Sequence, residues 1–381
     1  MAPPRLRRPR ERRPTAGRRY GGRVSDEPEL VIAGAGIAGL ALAAGLTHAR
    51  APWRYRLLDE RPALGSTGGA ISLWPAALDA LDRVGVGAAV RAAGHAVGPG
   101  SVRTRAGRVI RSLDLPLLAV RRGVLVEILH AAVVPGSVGF GCRVTGYRCT
   151  GTGVRVETTG GPIDAAALVG ADGFRSLVAR TLHPGLAEAY AGFPAWRGLT
   201  TAPGVEPVQL WGRRQELGVV PLGADLAYWF ATVREPEGGT AADELAHVVR
   251  AFRGWPDPVT RVLAATDPAT VSRNDVLDRE WLRHWTDGPV VVVGDAAHPM
   301  RPHLGQGGGQ ALVDVALLAD LLARGDVPAA AFAAFERARR RPTRRVVRAS
   351  RAASLLVDAP GAVHRLSALV PDRVVLRALR G

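Results

Sequence analysis

Residues 290–322 read VVVVGDAAHPMRPHLGQGGGQALVDVALLADLL, and this stretch falls into three parts. The β-branched apolar run 290–293 has the length of a buried parallel strand. Gly294 and Asp295 close it with a carboxylate just past the carboxyl end, where open α/β sheets place their ligands. A loop rich in Pro and Gly follows over 299–309. Helical periodicity starts at about Gln310, with Leu312, Val315, Ala316 and Ala319 on one face. Gly305, Gly307, Gly308 and Gly309 permit close backbone approach. The amino end of the following helix favours negative charge. One acid, a floor without side chains and a positive helix end suit a flat, electron-accepting ring with a polyol tail.

A second strand, glycine turn and helix open the fold. Glu29–Ala33 is a short apolar strand, Gly34-Ala35-Gly36-Ile37-Ala38-Gly39 follows at once, and 40–46 continues as a helix. A second strand over 55–58 ends in Asp59-Glu60-Arg61-Pro62, about twenty residues after the last glycine. This is the layout of a βαβ dinucleotide site. Gly34 makes the tight turn, Gly36 admits the pyrophosphate, and Gly39 lets helix and strand pack. Either Asp59 or Glu60 could accept from the ribose.

The run Gly294-Asp295-Ala296-Ala297-His298, then Pro302, then Gly305-Gln306-Gly307, resembles the GDAAHxxxPxxGQG signature of single-component FAD-dependent aromatic hydroxylases. Leu168 to Val178, with Gly170-Ala171-Asp172-Gly173 and Ser176, resembles the second fingerprint of that family; its final Arg is displaced by one, to Arg180. The resemblance implies an α/β fold like that of para-hydroxybenzoate hydroxylase. A Rossmann-like FAD-binding domain of the glutathione-reductase type would be interleaved with an antiparallel substrate sheet and followed by C-terminal helices. The expected division is an Arg-rich tail at 1–27, FAD-binding pieces at 28–181 and 276–345, a substrate sheet at 182–275 and a helical tail at 346–381.

The resemblance also implies residue roles. FAD is expected against Gly34, Gly36, Ala38, Gly39, Glu60, Arg61, Gly69, Ala70, Arg122, Val144, Asp172, Gly294, Asp295, Pro302, Gly305, Gln306, Gly307 and Gly308. Glu60 is taken for the ribose because the family usually has Glu followed by Arg or Lys, which leaves Asp59 as the last strand residue. Arg122 would face the cofactor's phosphates or ribose, with Arg121 as the alternative. Asp295 would hold the ribitol. His303, beside the flavin, could accept a phenol proton; Arg197 and Tyr228 are weaker pocket candidates, and His298 reads as structural. The loop around 65–71 would pass close to the flavin. The family often places Asn after the Gly pair and an acid at the position of Val313, so a looser flavin floor is expected here.

The implied reaction uses NAD(P)H as a transient co-substrate and O2, and hydroxylates or epoxidises an aromatic or polycyclic small molecule through a flavin C4a-hydroperoxide. A dehydrogenase or reductase on the same fold is the alternative. A flavoprotein that only sequesters a ligand is another, and no WxWxIP segment supports a halogenase.

Composition adds limits. The chain has 381 residues and a formal charge of +16, and every basic residue is Arg. The excess sits at two places, residues 1–23 and 337–351, so the rest is balanced. Such ends could bind nucleic acid or a membrane surface. Without aromatic interleaving or a recognition motif, the reading is a disordered tail and a solvated helix face, and no nucleic-acid partner is expected. No apolar run reaches about 18 residues, so no membrane span is expected. Cys142 and Cys149 form no disulfide framework, and with no apolar leader the expected compartment is the cytoplasm. The oligomer is expected to be a monomer or homodimer. Pro342 suggests a break or kink in a helix starting at Pro328.

Overall fold

The computed structural model describes residues 29–65, 69–114, 116–359, 363–364 and 370. The Arg-rich tail at 1–27, part of the 65–71 loop and most of the last twenty residues lie outside the described residues.

The apolar runs form a six-stranded sheet. Its order is Thr286–Asp287, Val290–Val292, Ala167–Gly170, Glu29–Ala33, Arg54–Asp59 and Val138–Phe140. All neighbours are parallel except the Thr286–Asp287 edge. Parallel strands need cover on both faces, which is why Val31, Ile32, Leu168, Val169, Val290 and Val291 are uniformly apolar and sealed from water. Helix Ile37–His48 packs against helix Gly307–Ala323, and the latter against Pro328–Asp358. Strands Glu29–Ala33, Ala167–Gly170 and Val290–Val292 are adjacent, so the three glycine-bearing turns emerge side by side at one sheet end.

The second layer is a seven-stranded sheet. Its order is Ser272–Arg279, Glu188–Thr201, Leu226–Val233, Gln215–Pro221, Val208–Gly212, Gly100–Thr104 and Val109–Leu113. It is therefore larger than the 182–275 segment. Two strands from the first third of the chain join it, and Gly100–Thr104 pairs parallel with Val208–Gly212. The remaining strands of the 95–120 region, His95–Val97 and Leu117–Arg121, lie in a separate three-stranded sheet with Ala70–Leu73.

Strand alternation gives the large sheet two different faces. Trp196 faces Ala231, Ala231 faces Leu217, and Leu217 faces Leu210. That face is an apolar core closed by helices Glu244–Ala251 and Val259–Ala264 through Val248, Val259 and Val262. The opposite face carries rows of different chemistry: Arg197, Phe230, Gly218 and Gln209 in one, Thr232 and Glu216 in the next. Tyr228 lies on the same face, opposite Leu199 and Val220.

Two helices depart from expectation. Gly307–Ala323 begins at Gly307, three residues before the periodicity does, so the glycines form its first turn. Pro328–Asp358 runs through Pro342 without a break. Pro342 and Ala338 both lie on the exposed side, so the carbonyl freed by the missing N–H meets water. The Arg-rich part of this helix is also not wholly a solvated face, because Arg339 is buried.

Candidate active site

The three fingerprints touch one another. Gly34 has φ +102°, and a Cβ there would lie 2.4 Å from the Ala171 carbonyl oxygen and 2.9 Å from Asp172 Cα. Gly39 is pinned against the Gly34 carbonyl, where a Cβ would lie 1.9 Å away. At Gly36 a Cβ would meet nothing within 4 Å. So the first glycine makes room for the second fingerprint, the third packs helix on strand, and the second borders open space. Gly294 faces Ala38, with 3.4 Å from its added Cβ to the Ala38 Cβ, which joins the third fingerprint to the first.

Polar groups line this junction. Asp59, at the end of its strand, accepts from the Ala35 N–H at 2.7 Å and from the Arg61 backbone and guanidinium at 2.8–2.9 Å. Burial would raise its pKa, but the bonds from Arg61 and Ala35 outweigh that and hold it below the ordinary carboxylate value. Glu60 is exposed. The acid that touches the glycine turn is therefore Asp59, not the Glu60 chosen from the family pattern. Arg61 donates to the Ala35 carbonyl at 3.1 Å and braces the same turn.

Asp172 caps the helix Leu177–Leu182 with one oxygen, which accepts from Leu177 N at 2.8 Å and Val178 N at 3.2 Å. Its other oxygen, Oδ1, is buried without a partner. Burial raises its pKa despite those bonds. Asp295 is exposed in the short 3-10 turn Gly294–Ala296 that follows strand Val290–Val292, within the fields of Arg122 and Arg279. Arg122 opens the helix Arg122–Ala131, and its backbone N–H donates to the Gly69 carbonyl at 3.1 Å. Desolvation lowers the Arg122 pKa, with Asp295 pulling it back. Ala70 starts the strand paired with Arg121, and Val144 is a buried strand residue.

The floor is built by the late loop. Pro302 begins a short 3-10 turn, Gly305 takes φ +60°, and Gln306 is the buried residue before the helix. No side chain caps that helix, and its first turn carries no acid. Ile71 covers Gly308, whose Cβ would lie 2.3 Å from Ile71 Cδ1. Gly307 borders Asp295, at 3.9 Å from its added Cβ to Oδ1.

Two contacts join this cleft to the mixed face of the large sheet. Tyr228 packs on Gly69, where a Cβ would lie 2.6 Å from Tyr228 Cε2. Burial raises the Tyr228 pKa, opposed by the nearby guanidinium of Arg197 and by its hydrogen bond. The second contact is His303, whose Nε2 lies 3.3 Å from Glu216 Oε1, both side chains being almost sealed. The Phe193 ring meets the His303 ring edge-on at 5.2 Å. Burial lowers the His303 pKa, while Glu216 opposes the shift.

Sequence reading missed three residues at the site. Asp314 is fully buried; it accepts from Arg339 Nε at 2.7 Å, pairs with His298 Nε2 at 2.5 Å and accepts from the Gly294 N–H at 3.1 Å. It thus fastens the Gly294 turn to both late helices, and His298 is structural. An acid on the apolar stripe of Ala311 and Leu318 was the available signal. Glu216 likewise interrupts an inward-facing strand row. Arg279 had no local signal; it donates to the Phe174 carbonyl at 3.1 Å and the Ala296 carbonyl at 2.6 Å, joining the second and third fingerprint turns.

These residues fit FAD. Open space at Gly36, the orphaned Asp172 oxygen, exposed Asp295 and an uncapped glycine helix start belong to the three turns at one end of the parallel sheet. The family described as "FAD binding domain" matches residues 27–350. The chain is 35% identical over 317 residues to aurachin C monooxygenase/isomerase of Stigmatella aurantiaca, covering 79% of this chain and 82% of that one. It is 30% identical over 314 residues to an FAD-dependent urate hydroxylase of Klebsiella pneumoniae, covering 76% and 80%. The crystal structure of Klebsiella pneumoniae HpxO with FAD and uric acid superposes with a TM-score of 0.85 at 24% identity, over 93% of this chain and 96% of that one. The glycine turns, their order and these relatives together place the chain among the single-component FAD-dependent aromatic hydroxylases, as an FAD-dependent monooxygenase.

Proposed function

We propose that the enzyme takes electrons from NAD(P)H and uses O2 to place one oxygen atom on a planar aromatic or polycyclic substrate. The observation that carries this reading is the pairing of walls. The late glycine loop meets the sheet face of Arg197, Tyr228, Phe230 and Glu216 through His303 and Glu216, and the Gly69 turn meets it through Tyr228. Relatives named for urate and aurachin C agree with a ring substrate.

FAD supplies the relay of electrons from the nicotinamide to dioxygen, and the protein positions and shields it. Gly36 would admit the pyrophosphate and Asp59 would take the adenosine ribose. Arg122 would face phosphate or ribose oxygens. Asp295 and Asp172 Oδ1 would accept from the sugar and ribityl hydroxyls. N–H groups of the Gly307–Ala323 helix start would face the ring edge where negative charge develops on reduction. On the sheet side, Phe230, lying over Gly218, and Tyr228 offer flat surfaces to the substrate ring. His303 would hold a substrate proton.

The test is purification, an absorbance scan for flavin, and parallel recording of NADPH and O2 consumption across phenols and polycyclic compounds. Oxygen uptake that rises with one ring compound and yields an oxygenated product is the expected result. Nicotinamide oxidation without substrate-linked oxygen incorporation would point to a dehydrogenase and overturn the proposal.

A further inference from the structure

The arginines of the last helix divide between its two sides. Within Pro328–Asp358, Arg339 reaches inward to Asp314 and Gln310, Arg340 to the Leu282 carbonyl and Glu336, and Arg351 to Asp278. Arg337, Arg341, Arg344, Arg345 and Arg348 are exposed. Their spacing, i, i+4, i+7, i+8 and i+11, puts all five on one stripe roughly 100° wide.

The acids of this helix are committed elsewhere. Glu336 accepts from the Thr286 hydroxyl and pairs with Arg340, and Asp358 pairs with Arg234. Arg344 lies over the Trp281 ring, 5.8 Å from its centroid. Among the described residues none of the five arginines makes an ion pair. Residues three and four apart on a helix are neighbours, so Arg337 and Arg341, Arg341 and Arg345, and Arg344 and Arg348 repel one another. An anionic partner would relieve that repulsion.

A second observation concerns the ends of the stripe. Val327 and Leu355, 71% and 63% exposed, are the two most exposed large hydrophobic residues among those described. Val327 immediately precedes the helix. Leu355 lies seven residues beyond Arg348 and eleven beyond Arg344, so it falls on the same stripe. The other exposed residues of the helix are Ala330, Ala338, Pro342 and Ala352. The exposed face therefore offers no amide or hydroxyl side chain to read a base edge. Nucleic acid would meet the arginines and leave both apolar ends in water. An anionic bilayer takes both: its phosphates meet the guanidinium groups, and its acyl boundary takes the apolar side chains.

We propose that the outer face of helix Pro328–Asp358 docks on an anionic lipid surface, with Arg337, Arg341, Arg344, Arg345 and Arg348 on headgroup phosphates and Val327 and Leu355 at the apolar boundary. The association is peripheral, since no described helix is long and apolar enough to cross a membrane. Each arginine near such a surface strengthens binding about fivefold, and salt weakens it by screening.

The test is co-sedimentation of the FAD-loaded full chain with vesicles of phosphatidylcholine, alone or with about one-third phosphatidylglycerol. Wild type should pellet with the anionic vesicles only, and added salt should release it. The triple variant Arg341→Gln, Arg344→Gln, Arg345→Gln should bind them about 100-fold more weakly. It should keep its flavin and melt no lower than wild type, because like-charge neighbours have been removed. The control triple Arg148→Gln, Arg213→Gln, Arg253→Gln removes the same charge from exposed positions elsewhere and should weaken binding less than about threefold. Leu355→Gln keeps the charge; it should weaken vesicle binding and leave retention on duplex DNA at the same salt unchanged. No pelleting of wild type, or equal weakening by the two triple variants, overturns the proposal. Binding to duplex DNA as tight as to vesicles at equal phosphate concentration, with Leu355→Gln without effect on either, assigns the face to nucleic acid and overturns it as well.

Discussion

At the residue scale the sharpest revision concerns adjacent acids. Asp59 and Glu60 follow one another at the end of a strand, and successive strand residues point to opposite sides. Spacing from the glycines fits both, so periodicity could not separate them. The structure does: Asp59 is buried against the Ala35 N–H, and Glu60 is exposed. Asp59→Ala is expected to weaken FAD binding about 10- to 100-fold, the effect of losing charge-assisted hydrogen bonds worth about 1.5–3 kcal/mol. Glu60→Ala should change it less than about twofold, as surface substitutions away from a site do. Flavin fluorescence titration of the apoprotein measures both, and the reverse ranking would restore Glu60. Because the folded Asp59 has a depressed pKa, its contribution is present above the unfolded value near 4 and fades as pH falls through the folded one. The packing roles of Gly34 and Gly39 were legible, since each depends on the missing side chain alone.

At the element scale, the late helix pair shows why composition misleads. Glycine is a poor helix former, so the helix was expected to start after Gly309. It starts at Gly307, and Ile71 packs where a side chain at 308 would be, so glycine is retained in the first turn despite its low propensity. Likewise, eight arginines between 337 and 351 suggested a wet surface, whereas Arg339 reaches inward to Asp314 and Gln310. Charge counts do not show which face a helical residue occupies; the apolar partners at Phe332, Phe335, Val346 and Val347 do. Asp314→Asn would leave Arg339 buried without its counter-ion. Breaking such a pair costs about 3–5 kcal/mol. Denaturant unfolding with FAD absent should register that loss in full. Burial would raise the Asp314 pKa, but His298 and Arg339 more than offset it, so the folded pKa is lowered. The wild-type stability gained from this group is complete above about pH 4 and disappears as pH falls through the folded value, so the gap between wild type and Asp314→Asn should narrow in acid. A gap independent of pH would show that Asp314 is held by packing alone.

At the scale of the whole molecule, alternating strands and glycine turns made the parallel sheet legible, but not the way the two sheets are coupled. That coupling depends on contacts far apart in sequence. Strand Ser272–Arg279 forms the edge of the seven-stranded sheet and ends in two charged residues that reach away from it. Asp278 accepts from Arg301 and from Arg351 of the last helix. Arg279 sends its guanidinium to the Phe174 and Ala296 carbonyls, so the sheet end holds the two turns that flank the cofactor cleft. Burial pushes the Arg279 pKa down to about 10, with Glu188, Asp295 and Asp172 pulling the other way, so the group keeps its charge at neutral pH. Arg279→Met keeps the stem and removes the donors, leaving carbonyls at both turns without their partner. Weaker FAD binding, by about tenfold or more, is the expected result, because hydrogen bonds from a charged group contribute about 1.5–3 kcal/mol. Ligand linkage then predicts that saturating FAD raises the melting temperature of the variant less than that of wild type at the same free FAD concentration. Asp278→Asn, which loosens Arg351 of the last helix and Arg301 of the late loop but leaves both turn carbonyls bonded to Arg279, should lower the melting temperature while reducing the FAD-dependent increment less than Arg279→Met does. Equal increments in wild type and Arg279→Met would mean that the two turns keep their spacing without the arginine, and that the sheets are coupled through the His303 and Tyr228 contacts instead.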